Sequence, residues 1–411
     1  MSLVRCVHHV QFACKNLWKV YEKFAHGFGY KFHCLSKHGD NLNVVLGNGK
    51  SFVVLSEISG DSVYPSLYPY ASEINSHQRF RDKPFDIAFE VSNVLEVCNR
   101  IRNLCGENHI LLEPTVYSDY HGKVTLAVVR SYLGNTLHTL INSAQYEGLF
   151  LPGYLQPEFG VSHGLQERLR LMPSDPPGGL TVSRLDHISL ACNVNESNKV
   201  MKWYESVLGM NRVTVNALEN NDGLIIRTGD TGMHLKTMSY SSSIESGDAP
   251  PTFVFVEPLP NSSPNQVSKF LEANGGPGIQ HMGLLVEDII KEVALCRSGG
   301  VEFFRPPAAY YDELVKSPGF ENSSVSIEQL QSSGVLFDPE LDSTASPESP
   351  ASLLQIFTTP LFEKDAFFLE LIERRHKARG FGSANVIALW KAMEKTLHPD
   401  RHYLERRPVR S

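Results

Sequence analysis

Apolar and polar side chains alternate along residues 7–14, and the same pattern returns at residues 185–192, about 178 positions later. Such alternation is typical of a strand that buries one face in a core. Each stretch leads into a helical pattern that ends in a glycine, Gly29 in the first case and Gly209 in the second. The pattern therefore predicts the same strand–helix start in both halves of the chain.

The repeat continues further along each half. Residues 85–91 resemble residues 280–286, and a third, weaker match sets residues 135–138 beside residues 367–370. Because the order of the elements is repeated as well, we predict an α+β protein of two tandem domains, built from paired βαβββ modules.

Composition places the boundaries between these domains. Residues 152–179 are rich in proline and glycine, as linkers are, and separate an N-terminal domain (residues 1–151) from a C-terminal domain (residues 180–397). Apolar residues at helical spacing predict that an amphipathic helix at residues 385–397 closes the second domain. Residues 398–411 are a tail.

Size and charge limit the classes of function. A chain of 411 residues can form two cores and bury a site deeply. The net charge is −7, and lysine and arginine are scattered along the chain, so a nucleic-acid partner is not expected. No apolar run approaches the roughly 20 residues of a membrane-spanning helix, so no membrane span is expected.

Cysteine usage and the N-terminus bear on the compartment. The seven cysteines are an odd number without a C-x-x-C pair, which favours a reducing compartment. The first 25 residues carry four basic side chains and no acid before Glu22, which is compatible with an uncleaved mitochondrial address. The cytoplasm is the alternative.

Three positions of the repeat in the second half carry metal-binding side chains, His187, His281 and Glu370. Two imidazoles and one carboxylate are the ligand set of the facial triad. That triad occupies one face of an octahedral iron(II) ion and leaves other positions open for a substrate and dioxygen. The sequence therefore predicts a mononuclear iron site in the C-terminal domain.

The matched positions of the first half hold His9, Asp86 and His138. These side chains are metal ligands by type, but the motifs that surround the second set are missing from this half. We therefore expect a degenerate site in the N-terminal domain.

Three motifs flank the predicted ligands. They are Asn-Gly-Gly-Pro-Gly-Ile-Gln-His at residues 274–281, Leu-Leu-Gln-Ile-Phe-Thr at residues 353–358 and Phe-Phe-Leu-Glu-Leu-Ile at residues 367–372. In these motifs and in their order, residues 180–397 resemble the 4-hydroxyphenylpyruvate dioxygenases and the related hydroxymandelate synthases. The resemblance implies the vicinal-oxygen-chelate fold, with the metal site in the barrel of the C-terminal domain.

The resemblance also implies the residues of the site. His187, His281 and Glu370 would bind iron(II), and three amides and three aromatic rings would line the substrate pocket. An amide can bind a phenol hydroxyl, and aromatic faces can pack against a substrate ring and keep water away. The implied lining residues are Gln266, Gln280, Gln355, Phe357, Phe368 and Phe381.

The chain departs from the family pattern on one wall of the pocket. Val256 stands where the homogentisate-forming dioxygenases usually carry the asparagine of Asn-Glu-Pro, and the family's preceding serine aligns near Thr237. In the closing helix, Val386 replaces a usual phenylalanine. These changes predict a pocket that is more apolar and differently shaped.

The resemblance implies that the substrates are an aromatic 2-oxo acid, 4-hydroxyphenylpyruvate, and dioxygen. Loss of a polar anchor and an aromatic wall favours oxidation of the benzylic carbon. The leading hypothesis is therefore an iron(II)-dependent dioxygenase that releases 4-hydroxymandelate and carbon dioxide, with a role in making the ubiquinone head group. The alternatives are a dioxygenase that makes homogentisate in tyrosine breakdown and a non-catalytic binding paralogue. A homodimer is left open.

Overall fold

The chain forms two mixed β-sheets, one from each half of the sequence. The computed structural model describes residues 3–38, 41–57, 82–134, 136–156, 167, 169, 180–215, 219–220, 222–241, 249–317, 319–321, 323, 325–340, 351–362, 366–376, 378–382 and 385–386.

The first sheet has eight strands in the order β2-β3-β4-β1-β5-β8-β7-β6. The strands are β1 (Val4–Cys14), β2 (Lys31–His38), β3 (Asn41–Asn48), β4 (Ser51–Glu57), β5 (Lys83–Val91), β6 (Ile110–Asp119), β7 (Gly122–Arg130) and β8 (Leu137–Tyr146). The helices are α1 (Leu17–Glu22), which continues as a π-helical turn (Lys23–Gly27), and α2 (Val94–Cys105), which is followed by a short 3-10 turn (Glu107–His109).

The second sheet has nine strands, with the path β10-β12-β13-β9-β14-β17-β16-β15 and β11 paired to β12. The strands are β9 (Arg184–Ala191), β10 (Asn211–Arg212), β11 (Leu224–Thr228), β12 (Thr231–Ser239), β13 (Thr252–Pro258), β14 (Gly278–Leu285), β15 (Leu336–Pro339), β16 (Ser352–Phe357) and β17 (Phe368–Arg375). The helices are α3 (Ser197–Leu208), α4 (Gln266–Asn274), α5 (Ile289–Ser298), α6 (Ala308–Leu314) and α7 (Ile327–Ser333).

Both sheets join two modules in the same way. The first strands of the two modules pair antiparallel, β1 with β5 and β9 with β14. The first strand of each module also pairs in parallel with the module's last strand. The predicted α+β fold of paired βαβββ modules is confirmed by this repeated topology.

Alternation along the strands separates two faces of each sheet. In β9, Ile188 and Leu190 belong to the large apolar cluster that also contains the buried faces of the helices of both halves. His187, Ser189 and Ala191 point to the opposite, inner face, and all three are at most 1% exposed. The inner face of the second sheet is therefore a buried surface that carries polar side chains.

The register of β8 corrects the third match of the repeat. Asp86 pairs with Leu137 in the first sheet, and its counterpart His281 pairs with Phe368 in the second. Leu137 therefore corresponds to Phe368. Two residues further along each strand, Thr139 corresponds to Glu370, so the match of Glu370 to His138 was wrong by one residue. A shift of one residue along a strand turns a side chain to the other face. His138 accordingly leaves the inner face and its ring nitrogen lies 2.9 Å from the Tyr204 hydroxyl.

The predicted linker at residues 152–179 and the predicted closing helix at residues 385–397 lie for the most part outside the described residues, and the tail at residues 398–411 lies wholly outside them. These divisions stay predictions. All seven cysteines lie in described segments and are free thiols. No helix in the part of the chain that the structure describes has the length and apolarity to cross a membrane.

Candidate metal centre

Three neighbouring strands bring the predicted ligands together. His187 lies on β9, His281 on the adjacent β14, and Glu370 on β17, which pairs with β14. The Nε2 atoms of the two histidines are 3.2 Å apart, and the Glu370 Oε2 atom lies 3.1 Å from the His187 Nε2 and 3.6 Å from the His281 Nε2. Among the described residues, this is the one group of three or more such side chains that could hold a metal ion.

These distances fit a metal ion held between the three atoms. Ligand atoms about 2.1 Å from an ion and at right angles to one another are about 3 Å apart. Two imidazole nitrogens and a carboxylate oxygen that meet at this spacing provide three donors on one side of an ion. The donor set and its spacing therefore fit iron(II), which accepts a two-histidine, one-carboxylate face.

A β-bulge places two consecutive side chains of β14 in the site. The register against β9 shifts between Ile279 and His281, so one residue more is accommodated on β14 than on its partner. Gln280 and His281 consequently both face the pocket, which strict alternation would forbid.

Glu370 is held in place by a chain of amides. The Gln355 Nε2 group donates to Glu370 Oε1 at 2.7 Å, and this leaves Oε2 directed toward the two histidines. Asn385 Nδ2 donates in turn to Gln355 Oε1 at 2.8 Å, and Asn385 Oδ1 accepts from the Tyr310 hydroxyl at 3.0 Å. Asn385 is fully buried and is the first residue of the segment predicted to close the domain. The amide of Gln355 connects it to the Glu370 carboxylate.

The two histidines have different electrostatic surroundings. Burial alone would lower the pKa of His187, but the Glu370 and Asp186 carboxylates outweigh it and raise the pKa to about 9. Burial and the neighbouring His187 lower the pKa of His281 well below its ordinary value. The Glu370 carboxylate next to the two imidazoles offers a negatively charged ligand to a cation.

Gly283 makes room for the His187 ring and was missed by the analysis of the sequence. A Cβ atom at position 283 would lie 2.2 Å from His187 Cε1 and 2.4 Å from His187 Nδ1. A lone glycine inside a strand is a general signal of such a close approach. The first sheet has Ala88 at this place, opposite His9.

Aromatic rings surround the ligands. Phe368 stacks on His281, with ring centroids 4.6 Å apart, and Phe381 contacts His187 edge to face at 5.2 Å. Phe357 packs against Phe368. All three predicted aromatic residues line the same pocket as the ligands, together with Gln266, Gln280 and Gln355.

The wall formed by β12 and β13 is apolar. Val256 lines the pocket and pairs with Leu235, while Thr237 pairs with Val254. The hydroxyl of Thr237 donates to the Val213 carbonyl oxygen, and Thr237 is not among the pocket-lining residues. The hydroxyl of Thr237 therefore does not line the pocket, and the residue opposite Val256 is Leu235.

Gln266 contributes an acceptor without a protein partner. Its Oε1 atom is buried and makes no hydrogen bond to the residues that the structure describes, and its Nε2 group lies 3.9 Å from the Met233 sulfur. By contrast, Gln280 Oε1 lies 3.2 Å from His281 Nδ1 and Gln355 uses both ends of its amide. An unpaired buried acceptor is costly, so the pocket suits a ligand with a hydrogen-bond donor.

At the corresponding place in the first sheet, the residues that the structure describes form no cluster of candidate ligands. His9 lies with its Nδ1 atom 2.8 Å from His8 Nδ1 and its ring against Phe150. Asp86 accepts hydrogen bonds from the backbone and the hydroxyl of Thr139. These contacts engage His9 Nδ1 and the Asp86 carboxylate within the protein, and the degenerate site in this half stays a prediction.

The Asp86→Asn substitution tests this interpretation. Burial raises the pKa of Asp86 to about 6, against the lowering effect of the Thr139 hydrogen bonds. An unfolded aspartate ionises near pH 4, so the folded chain keeps a proton that the unfolded chain loses, and the contribution of Asp86 to stability falls as pH rises from about 4 to about 6. The variant lacks this loss. Its free energy of unfolding, relative to wild type, should rise by about 1 to 2 kcal/mol between pH 5 and pH 7.5.

Thermal denaturation at the two pH values measures this difference, and metal content is the control. The variant should still bind one metal ion per chain, because the ligands are in the other sheet. A loss of bound metal, or a stability difference that does not change with pH, would contradict the structural role of Asp86.

Comparisons with known proteins agree with this geometry. Residues 184–321 match the family model of the Glyoxalase/Bleomycin resistance protein/Dioxygenase superfamily. A rat (Rattus norvegicus) protein named 4-hydroxyphenylpyruvate dioxygenase-like protein is 34% identical over 307 residues, which cover 74% of this chain and 76% of the relative. A 4-hydroxyphenylpyruvate dioxygenase from Yarrowia lipolytica is 30% identical over 356 residues, which cover 85% of this chain and 80% of that protein.

A solved structure supports the fold. A triple mutant of 4-hydroxymandelate synthase from Streptomyces coelicolor superposes with a TM-score of 0.72 at 24% identity and covers 97% of this chain and 100% of the other. The predicted vicinal-oxygen-chelate fold is thereby confirmed.

Proposed function

Because this chain belongs to the 4-hydroxyphenylpyruvate dioxygenase family, we propose that it converts 4-hydroxyphenylpyruvate and dioxygen to 4-hydroxymandelate and carbon dioxide. The chain is a non-haem iron(II) dioxygenase, and its buried His–His–Glu cluster suits that metal. Bound iron(II) supplies a chelation site for the 2-oxo acid and activates dioxygen.

The atoms of the proposed reaction balance without a further reductant. The substrate loses its carboxyl group as carbon dioxide, and one oxygen atom of dioxygen enters the new carboxylate. The other becomes the hydroxyl of the benzylic carbon. Homogentisate has the same elemental composition, but it forms when oxygen enters the ring and the side chain migrates to the neighbouring ring carbon, whereas 4-hydroxymandelate forms when oxygen enters the benzylic carbon.

The residues of the chain position and shield the reacting groups. The amide of Gln355 fixes one oxygen of Glu370 and thereby the direction of the other. Phe357, Phe368 and Phe381 exclude water and offer ring faces to an aromatic substrate.

The observation that carries the choice of product is the pair Leu235 and Val256. These side chains face each other across β12 and β13 on the pocket wall where the family's homogentisate-forming members carry an asparagine. Without that polar anchor, the shape of the pocket and the unpaired Gln266 Oε1 atom govern the position of the substrate ring. We infer that the ring is placed so that the benzylic carbon is the one oxidised.

Gln266→Leu is expected to weaken binding of the para-hydroxyl group specifically. If Gln266 Oε1 accepts from the phenol, the KM for 4-hydroxyphenylpyruvate should rise about tenfold, the value of one hydrogen bond in a dry pocket. Phenylpyruvate, which lacks the hydroxyl, is the matched control substrate and should show little change. An equal loss with both substrates would assign Gln266 a role in packing only.

The function is tested by product identification. Purified protein is loaded with iron(II) without oxygen, then mixed with 4-hydroxyphenylpyruvate and oxygen, and the isomeric products are separated by chromatography against standards. His281→Ala, which removes one ligand, should show no turnover. 4-Hydroxymandelate as the main product supports the proposal, homogentisate overturns it in favour of the tyrosine-breakdown activity, and no metal-dependent turnover favours a binding role.

A finer proposal concerns the place of this reaction in the cell. We propose that the product serves the ubiquinone head group in mitochondria. Because Val4–Cys14 is the central strand β1, an address in the first 25 residues would have to remain attached. Import into isolated mitochondria should therefore leave the chain at its full length, and exclusion from the organelle would contradict the proposal.

A further inference from the structure

Arg374 is a buried cation behind the metal centre. Its Nε and Nη2 groups donate to the two carboxylate oxygens of Asp186, both at 2.8 Å. This paired geometry is the strongest arrangement open to an arginine and a carboxylate, and it fixes the plane of the carboxylate. Asp186 is 4% exposed, so water does not compete for it.

Asp186 connects this cation to a metal ligand. Its Oδ1 atom lies 3.0 Å from His187 Nδ1. With Asp186 ionised, His187 must be the donor at Nδ1. In the neutral imidazole that a metal ion requires, the proton therefore sits on Nδ1 and the lone pair of Nε2 is directed at His281 and Glu370. His281 lacks such support, because its Nδ1 atom faces the neutral amide of Gln280 at 3.2 Å.

Arg374 also holds the other side of the His187 ring. Its Nη1 group donates to the carbonyl oxygens of Ala378 and Gly380, at 3.3 and 2.9 Å. These bonds fix the segment that carries Phe381, whose ring contacts His187 and lies under the guanidinium. One side chain therefore determines both the hydrogen-bond partner and the packing partner of His187.

The first sheet provides a comparison within the same chain. By the register of the strands, His8 stands at the place of Asp186 and Ser143 at the place of Arg374. In that sheet the corresponding histidine, His9, pairs with His8 and does not point at a ligand cluster. Among the described residues, the half without the Asp–Arg pair is thus also the half without a cluster of candidate metal ligands.

We propose that Arg374, acting through Asp186, is a positioning residue that sets the tautomer and orientation of His187 for metal binding. The proposal rests on the role of His187 as a ligand in the proposed function. Arg374 itself touches neither metal nor substrate. Such outer partners of a metal-bound histidine typically change metal affinity by about 10 to 100-fold.

The test measures the binding of cobalt(II), a spectroscopic probe for an iron(II) site, to the full chain. Three variants separate the ion pair from the packing of the Phe381 segment. Arg374→Lys keeps the charge but loses the paired hydrogen bonds to Asp186. Asp186→Asn/Arg374→Gln removes both charges, so that neither is left unpaired. Glu340→Gln loosens the Phe381 segment, because Glu340 accepts from the backbone of Arg379 and Gly380, and it leaves both members of the Asp186–Arg374 pair in place. Arg375→Gln is the matched control, since the neighbouring Arg375 pairs with Glu373 on the other face of β17.

We expect wild type, Arg375→Gln and Glu340→Gln to share one visible cobalt spectrum and similar Kd values. The double variant should bind cobalt about 10 to 100-fold more weakly than wild type, with a shifted spectrum. The Kd of Arg374→Lys should lie between the values of wild type and the double variant. Circular dichroism of the metal-free chains checks folding.

Unchanged affinity and spectrum in a folded double variant would overturn the proposal, as would an equal loss in Glu340→Gln, which would assign the effect to the segment alone. If wild type binds no better than His281→Ala, the proposed metal centre itself fails, which is a different result.

Discussion

Gly283→Ala is expected to abolish metal-dependent turnover although it changes no ligand. The added Cβ atom would lie 2.2 Å from His187 Cε1, where an ordinary contact needs about 3.5 Å. The ring cannot yield easily, because Asp186 holds its Nδ1 atom and Phe381 contacts its edge. We expect His187 to leave the cluster, so that metal-dependent turnover falls to the level of His281→Ala, which lacks one ligand outright.

The measurement combines steady-state kinetics with metal analysis of the purified variant. Ala88→Gly is the matched control, because Ala88 occupies the corresponding position opposite His9 in the first sheet. That variant should keep its metal and its activity. A Gly283→Ala chain with full metal content and near-normal turnover would show that the His187 ring has another position from which it can bind the ion.

The second large effect is expected on the product. Leu235→Ser combined with Val256→Asn places a hydroxyl and an amide opposite each other on β12 and β13, where they can hydrogen-bond to one another and to a phenol. If the apolar wall directs oxidation to the benzylic carbon, the polar wall should shift the product from 4-hydroxymandelate toward homogentisate. We expect the product ratio to change by at least about tenfold, which corresponds to about 1.4 kcal/mol between two competing steps.

Chromatographic quantification of both products gives this ratio directly. Leu235→Ala combined with Val256→Ala enlarges the pocket without adding polarity, so it separates volume from hydrogen bonding. An equal shift in this control would attribute the product to pocket shape. If wild type already makes homogentisate and the polar variant changes little, Val256 is a tolerated substitution in a dioxygenase of tyrosine breakdown.

The predicted metal ligands were accessible to sequence analysis because two separate signals, the internal repeat and the family motifs, converge on them. Each of His187, His281 and Glu370 lies in a stretch that recurs in the first half, and the last two lie inside motifs of the resembling family. The structure places all three within 4.8 Å of one another, measured between their ligand atoms. Their chemical role stays a prediction that cobalt binding and the His281→Ala control can test.

The supporting residues were not accessible in this way. Arg374 is four residues from Glu370 in the sequence, but its partner Asp186 is 188 positions away, and only the packing of β17 near β9 brings them together. Gly283 carried the general signal of a glycine inside a strand, but which ring it accommodates depends on the adjacent strand.

The sequence by itself determined the repeated α+β modules and the three ligand positions, because periodic burial and motif spacing are local properties of the chain. The tertiary structure decided which side chains share a face. Strand register put Thr139 rather than His138 at the place of Glu370, and Leu235 rather than Thr237 opposite Val256. A one-residue shift in strand pairing turns a side chain to the other face of the sheet without changing the sequence pattern of the strand. Register is therefore set by the pairing of distant strands and by the core that they enclose.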